Sequence, residues 1–149
     1  PARAARDPGS LIGALPARPL AFMDRRDASH ETVRDWISKN EQELATSPLV
    51  LAELDHLVQR YGGANATRAL REDLANGAYQ AEWWPTAMFE TIALAEAHES
   101  MQLGLTDASL LALAAHLQSS QIATLDERHF RAVRQHSGEA FRLLPADAG

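Results

Sequence analysis

Three carboxylates stand where the surrounding pattern is apolar or where an element begins. They are Glu53 in SPLVLAELDHLVQRYGG, Asp107 in LGLTDASLLALAAHL and Asp126 in QIATLDERHFRAVRQ. Glu53 follows Val50 by three residues and precedes Leu57 by four, so it lies on or beside a helical stripe of Val50, Leu54, Leu57 and Tyr61. A buried carboxylate is costly unless it is paired or metal-bound. At the edge of the stripe the same residue reaches water or pairs with an Arg or His. Asp107 precedes Leu110, Leu111 and Ala114 and heads the apolar face of its helix. Thr106 or Asp107 also reads as an N-cap, where an acid suits the positive helix end. Asp126 closes the apolar run IATL. Sites in parallel sheets gather at the carboxyl ends of strands, and a turn Asp that caps DERHFRAV is the plainer reading.

Taken together, the three acids suggest a chemistry that none suggests alone. Carboxylates that converge on one point repel each other unless cations join them. A donor set made only of oxygen favours Mg²⁺ or Mn²⁺ over Zn²⁺. Such ions activate water and stabilise the oxygens of a phosphodiester during in-line attack.

The elements that would position these acids alternate between helices and short apolar strands. Residues 1 to about 20 hold four prolines and two glycines, which leaves room only for a short regular piece, LIGAL. A helix is expected from Ser29 to about Asn40, with Val33, Trp36 and Ile37 inward. ELATS reads as a short strand. Pro48 opens the helix carrying Glu53 and Gly62-Gly63 stops it; ATRALREDLANG is a further helix, ended by Gly77. AYQAEWW reads as a weak strand, and a long helix is expected from Pro85 to Gly104. After the helix headed by Asp107 come a short strand, a turn, a short helix and a last strand, FRLLP. This order predicts an α/β fold with a mainly parallel sheet.

Bulk properties narrow the function classes. The 149 residues suit one domain with a real core, and 46% hydrophobic with 23% charged residues is ordinary for a soluble globular protein. No cysteine is present, which excludes disulfides and thiolate metal sites and fits a cytoplasmic protein. No apolar run approaches the roughly 20 residues of a membrane span, and PARAARDPGS lacks the apolar core of a secretory signal. A net charge of −6 argues against a broad basic surface that grips nucleic acid by its phosphates alone.

Three segments resemble the PIN-domain ribonucleases, and within them the VapC-type toxins of bacterial type II toxin–antitoxin pairs. TSPLVLAELDHLVQRYG is similar to the family's segment with its helical Glu, LGLTDASLLALAAHL to the segment whose Asp opens a helix, and IATLDERHFRAVR with FRLLP to its closing block. DRRDASHETVRDWI reads like the family's first helix and the loop before it, so the resemblance runs from about Ala21 to Pro145. It implies a single PIN-like three-layer α/β/α domain over 21–149, with a short, mainly parallel central sheet, preceded by an irregular or altered segment over 1–20. It implies Mg²⁺- or Mn²⁺-dependent RNA cleavage, with Glu53, Asp107 and Asp126 as catalytic metal ligands and structured tRNA or rRNA as substrate. It also implies a cognate VapB-type antitoxin, a homodimer, and no contact with DNA except through the antitoxin complex.

One departure touches the chemistry. The family opens with an apolar strand ending in an Asp, and here the expected place falls near Leu15-Pro16-Ala17, which carries no acid. The nearest candidate is Asp7, in RDPGSLIG, although ARAAR before it is a poor strand. If that first ligand is missing, three carboxylates hold a metal more weakly, and the alternative is a degenerate PIN domain that binds antitoxin or RNA without cutting. A plain α-helical interaction protein, whose acids are caps, predicts instead that the three carboxylates lie far apart.

Other polar residues have simpler explanations beside their functional ones. Ser47, Thr106 and Thr124 can hydrogen-bond the acids or serve as caps and turns. Arg128 and His129 can touch phosphate or form a solvated helix start. Trp83 and Trp84 can stack a base or form a core and rim pair. Glu53-x-x-His56 has the spacing of a di-iron bundle, but no second copy of that motif exists in the chain.

Overall fold

The computed structural model describes residues 44–77, 79–124, 127–144 and 146–149, together with the backbone of 12–13. The expected helix from Ser29 to Asn40 lies outside these residues. Five short strands form one sheet: β1 (Ile12–Gly13), β2 (Ala45–Thr46), β3 (Gln80–Ala81), β4 (Gln121–Ala123) and β5 (Arg142–Leu144). Their order is β3-β2-β1-β4-β5, and every pairing is parallel. Ile12 faces Ala45 on one side and Ile122 on the other. Two residues of the piece LIGAL, Ile12 and Gly13, thus form the central strand. The chain winds outward from β1 in both directions, which makes the carboxyl ends of β1 and its neighbours the topological switch point where sites gather in such sheets.

The first described helix, α1 (Pro48–Ala75), begins where the sequence says it should. Ser47 is extended and its Oγ accepts a 3.2 Å bond from the Val50 amide, with Pro48 in the first turn. The two helices expected around Gly62-Gly63 run as one kinked element. The kink is at Gly63, whose φ of 78° and ψ of −175° suit only glycine. Thr67 Oγ1 donates to the Gly63 carbonyl at 2.9 Å, and Arg71 binds both oxygens of Asp55 at 2.8 and 3.0 Å across the bend. That guanidinium holds the Asp55 carboxyl below its usual range. The bend also alters the buried stripe. Ala66 and Leu70 of the second arm pack with Leu54 and Val58 of the first. Val58 therefore takes the inward place expected of Tyr61, which is 60% exposed beneath the Arg60 guanidinium.

The long helix expected from Pro85 to Gly104 is shorter. Helix α2 covers Ala87–Ala97, and a 3-10 turn follows at Glu99–Met101. Gln102 then adopts a left-handed conformation, φ 51°, which turns the chain into the extended Gly104 before α3 (Leu105–Leu117). Every residue of α3 from Ala108 to Ala114 is buried, as befits a helix packed on several sides. Leu110, Leu113, Ile122, Phe130 and Leu143 form the main core with Ala45 and Val50.

Helix α4 (Glu127–Ala132) is anchored by Phe130 in the core and by Arg131 at the surface. Arg131 spans both oxygens of Asp147 at 2.6 and 2.8 Å, and Asp147 also accepts from the Leu143 amide at 2.7 Å. The Arg131 hydrogen bonds, then the amide, hold the Asp147 carboxyl down at about 2, against 3.8 ordinarily. The unfolded chain thus takes up a proton at a pH where folded Asp147 is still ionised. The stability this group contributes is full above about pH 4 and disappears as pH falls from there to about 2. Asp147→Asn is expected to flatten the decline in melting temperature over that interval, measured by circular dichroism between pH 6 and 2. An unchanged decline would deny Asp147 this role.

Candidate active site

The starts of two helices meet beside the carboxyl end of β2. Ser47 and Ser109, both fully buried, meet Oγ to Oγ at 2.6 Å and tie the start of α1 to the start of α3. Ser109 Oγ donates to the Thr106 carbonyl at 2.6 Å, so its only proton is committed and Ser47 donates to Ser109. Ser47 in turn accepts from the Val50 amide. This chain of bonds uses Ser47 as a cap and a staple.

Asp107 sits in the first turn of α3, third after the N-cap, which is Gly104 and not Thr106 or Asp107. Gly104 makes no side-chain cap bond, so the acid at the positive helix end is left to stabilise that terminus through its charge. Its Oδ2 lies 3.0 Å from Nδ1 of His129 on α4, with both side chains partly buried. An ionised carboxylate only accepts, so Nδ1 carries the proton and donates.

Glu53 lies on the exposed face of α1, one residue before buried Leu54. Its position beside the stripe therefore leaves it in water, within two turns of the Ser47 staple. Asp126 and Asp7 lie outside the described residues. Among the described residues, no three His, Asp or Glu side chains gather closely enough to hold a metal ion. Glu53 and His56 are both exposed, and no di-iron arrangement accompanies them. Thr124 is buried just beyond β4, and its amide donates to Leu144.

His129 is the functional candidate that sequence reasoning undervalued. Its partner is 22 residues away, and nothing local marks the pairing.

The tryptophans belong elsewhere. Trp84 stacks flat on His116, 3.9 Å between ring centroids, and Trp83 leans against it at 6.0 Å. Trp84 packs on the core and Trp83 forms the rim. His116 is in the last turn of α3 and Asp107 in the first, about 13 Å apart along the axis. Open cavities among the described residues also lie elsewhere. One, of 690 Å³, follows the bend of α1 past Thr67 and Arg68, and another, of 520 Å³, lies between the far end of α3 and the Arg134–Ser137 turn. Neither is lined by Asp107 or His129.

Comparison with known proteins gives a consistent result. The pattern of the PIN domain family matches residues 19–135. Ribonuclease VapC26 of Mycobacterium tuberculosis is 34% identical over 127 residues, which span 85% of this chain and 94% of that protein. The fold is similar to the crystal structure of M. tuberculosis VapC20, a Sarcin-Ricin loop cleaving toxin. The TM-score is 0.67 at 17% identity, with 80% of this chain and 92% of that one covered. It is also similar to VapBC2 from Rickettsia felis, bound to a DNA fragment from its promoter. There the TM-score is 0.57 at 14% identity, with 90% and 97% covered.

Proposed function

The chain belongs to the PIN domain family, among its VapC-type members, and we propose that it is a metal-dependent endoribonuclease, the toxin of a VapBC-type toxin–antitoxin pair. The observation that carries this reading is Asp107: a carboxylate in the first turn of α3, gripped by His129, with that turn stapled through Ser109 and Ser47 to the helix bearing Glu53. Glu53, Asp107 and Asp126 are the catalytic set. Their donors are all oxygen, which fits Mg²⁺ or Mn²⁺. Bound there, the ion would supply a Lewis acid and a more acidic water for phosphodiester hydrolysis. The residues of the chain orient the carboxylates and, through the buried core behind α3, keep that arrangement rigid.

Structured RNA of the tRNA or rRNA class is the substrate in this reading, and a VapB-type antitoxin covers the site; the similarity to a VapBC complex supports that partner. No described helix is long and apolar enough to cross a membrane, in keeping with a cytoplasmic toxin. The protein is a homodimer in this proposal. Met88, Phe89 and Ile92 are exposed on α2, while Ala87 and Thr91 of the same helix are buried. Phe89, 77% exposed, is the outermost. Phe89→Glu is expected to shift the purified protein from dimer to monomer in analytical ultracentrifugation; a dimer that survives the change would use another face.

One observation favours a second reading, a degenerate domain that binds antitoxin or RNA without cutting. β1 ends at Gly13, and the chain continues Ala14-Leu15-Pro16-Ala17 with no acid at the carboxyl end of the central strand. Asp7 precedes β1 instead. The two readings separate in one experiment. Purified protein is incubated with total RNA and Mg²⁺ or Mn²⁺, with and without EDTA. Discrete fragments that vanish with EDTA support the nuclease. Intact RNA in the presence of folded protein supports the degenerate domain.

A further inference from the structure

The Asp107–His129 contact joins two elements that are each fixed independently. Asp107 belongs to the first turn of α3, whose next residues, Ala108 to Ala114, are all buried. His129 sits on α4 between Phe130, 1% exposed in the core, and two positions of a surface ion network: Glu127 and Arg131, the latter clamped to Asp147. Neither helix can rotate to relax the contact without disturbing that packing. An Asp side chain at a helix N-terminus is drawn there by charge, but that attraction does not set the rotation of the carboxylate plane. A directed N–H···O bond of 3.0 Å does.

We propose that His129 is a positioning residue. Its Nδ1–H holds Asp107 Oδ2 and fixes the orientation in which the carboxylate meets a divalent ion. This rests on the reading of Asp107 as a metal ligand given above. The role is that of an outer partner which orders a ligand, and loss of such partners lowers metal affinity by roughly ten- to a hundredfold. It also accounts for a His on a helix start, where a solvated Lys or Arg would satisfy a phosphate contact equally well. His129 has particular relevance in a chain whose central strand ends without an acid. With fewer ligands, the order of each remaining one has more influence on the geometry of the site.

The test measures Mn²⁺ affinity by calorimetry on the full chain without RNA, for wild type, His129→Ala, His129→Asn and His129→Gln, each with a thermal melt. An Asn amide nitrogen reproduces the position of Nδ1, and a Gln nitrogen that of Nε2. The expected result is a loss of at least about tenfold for His129→Ala and His129→Gln, with His129→Asn within about threefold of wild type. In the cleavage assay the same pair should raise the Mn²⁺ concentration for half activity and leave the KM for RNA unchanged. Wild-type affinity in His129→Ala overturns the inference alone. If His129→Ala does not fold, the Asn and Gln variants decide, and equal affinities overturn it. Wild-type protein that takes up no Mn²⁺ overturns the metal site itself, and the inference with it.

Discussion

Asp107→Asn is expected to lower metal-dependent RNA cleavage by about a hundredfold to a thousandfold while leaving the fold intact. The size follows from what the charge does. A carboxylate ligand and the ion it holds stabilise developing negative charge by several kcal/mol, and each 1.4 kcal/mol or so is a factor of ten in rate. Asn keeps the shape and one carbonyl oxygen, so the His129 Nδ1–H retains an acceptor where Oδ2 was. What disappears is the negative charge. The cost to stability is small by comparison. Interaction of an acid with a helix N-terminus is worth about 0.3–1 kcal/mol. Activity and melting temperature should therefore separate. The check is a set of cleavage rates at saturating Mn²⁺ beside a thermal melt of the same preparation. Rates within a few-fold of wild type would remove Asp107 from the catalytic set, whatever the melt shows.

How far this site could be read from residues alone depends on the range of the interaction. The start of α1 was legible because its signals are local: Ser47 caps, Pro48 follows, and apolar residues recur at helical spacing. The place of Asp107 in the first turn of an apolar helix was legible for the same reason. Most of the differences come from contacts between distant segments. Gly62-Gly63 reads as a stop, yet the chain bends at Gly63 and continues, because Thr67 and the Arg71–Asp55 pair hold the bend. Tyr61 fits the helical stripe but is exposed, because the second arm covers Val58 instead. Helix α2 ends at Ala97, and a 3-10 turn carries the chain on to Gln102, where the left-handed residue is a glutamine rather than the expected glycine. His129 belongs in this class too. A fold brings it to Asp107, and no spacing within the sequence could announce the meeting.

The same dependence on the core governs the largest effect on stability. Phe130 is 1% exposed and is the bulkiest of the fully buried side chains. Removing a buried Phe ring typically costs about 3–5 kcal/mol, transfer and cavity together. A domain of this size has only about 5–15 kcal/mol in total, so Phe130→Ala should take a large share of it and lower the denaturant midpoint without changing the slope. Phe130→Leu keeps most of the volume and should cost less than about 1.5 kcal/mol. The two variants also separate stability from site geometry. Helix α4 is only six residues long, and the main apolar contact that seats it is Phe130. A helix of that length has almost no stability of its own. Loss of the ring therefore frees His129, the preceding residue, from its fixed approach to Asp107. Phe130→Ala should weaken Mn²⁺ binding even at temperatures where the protein remains folded, and Phe130→Leu should not. Equal Mn²⁺ affinities in the two variants, with the stability difference still present, would show that α4 keeps its place without the ring and that the surface clamp of Arg131 on Asp147 is what seats it.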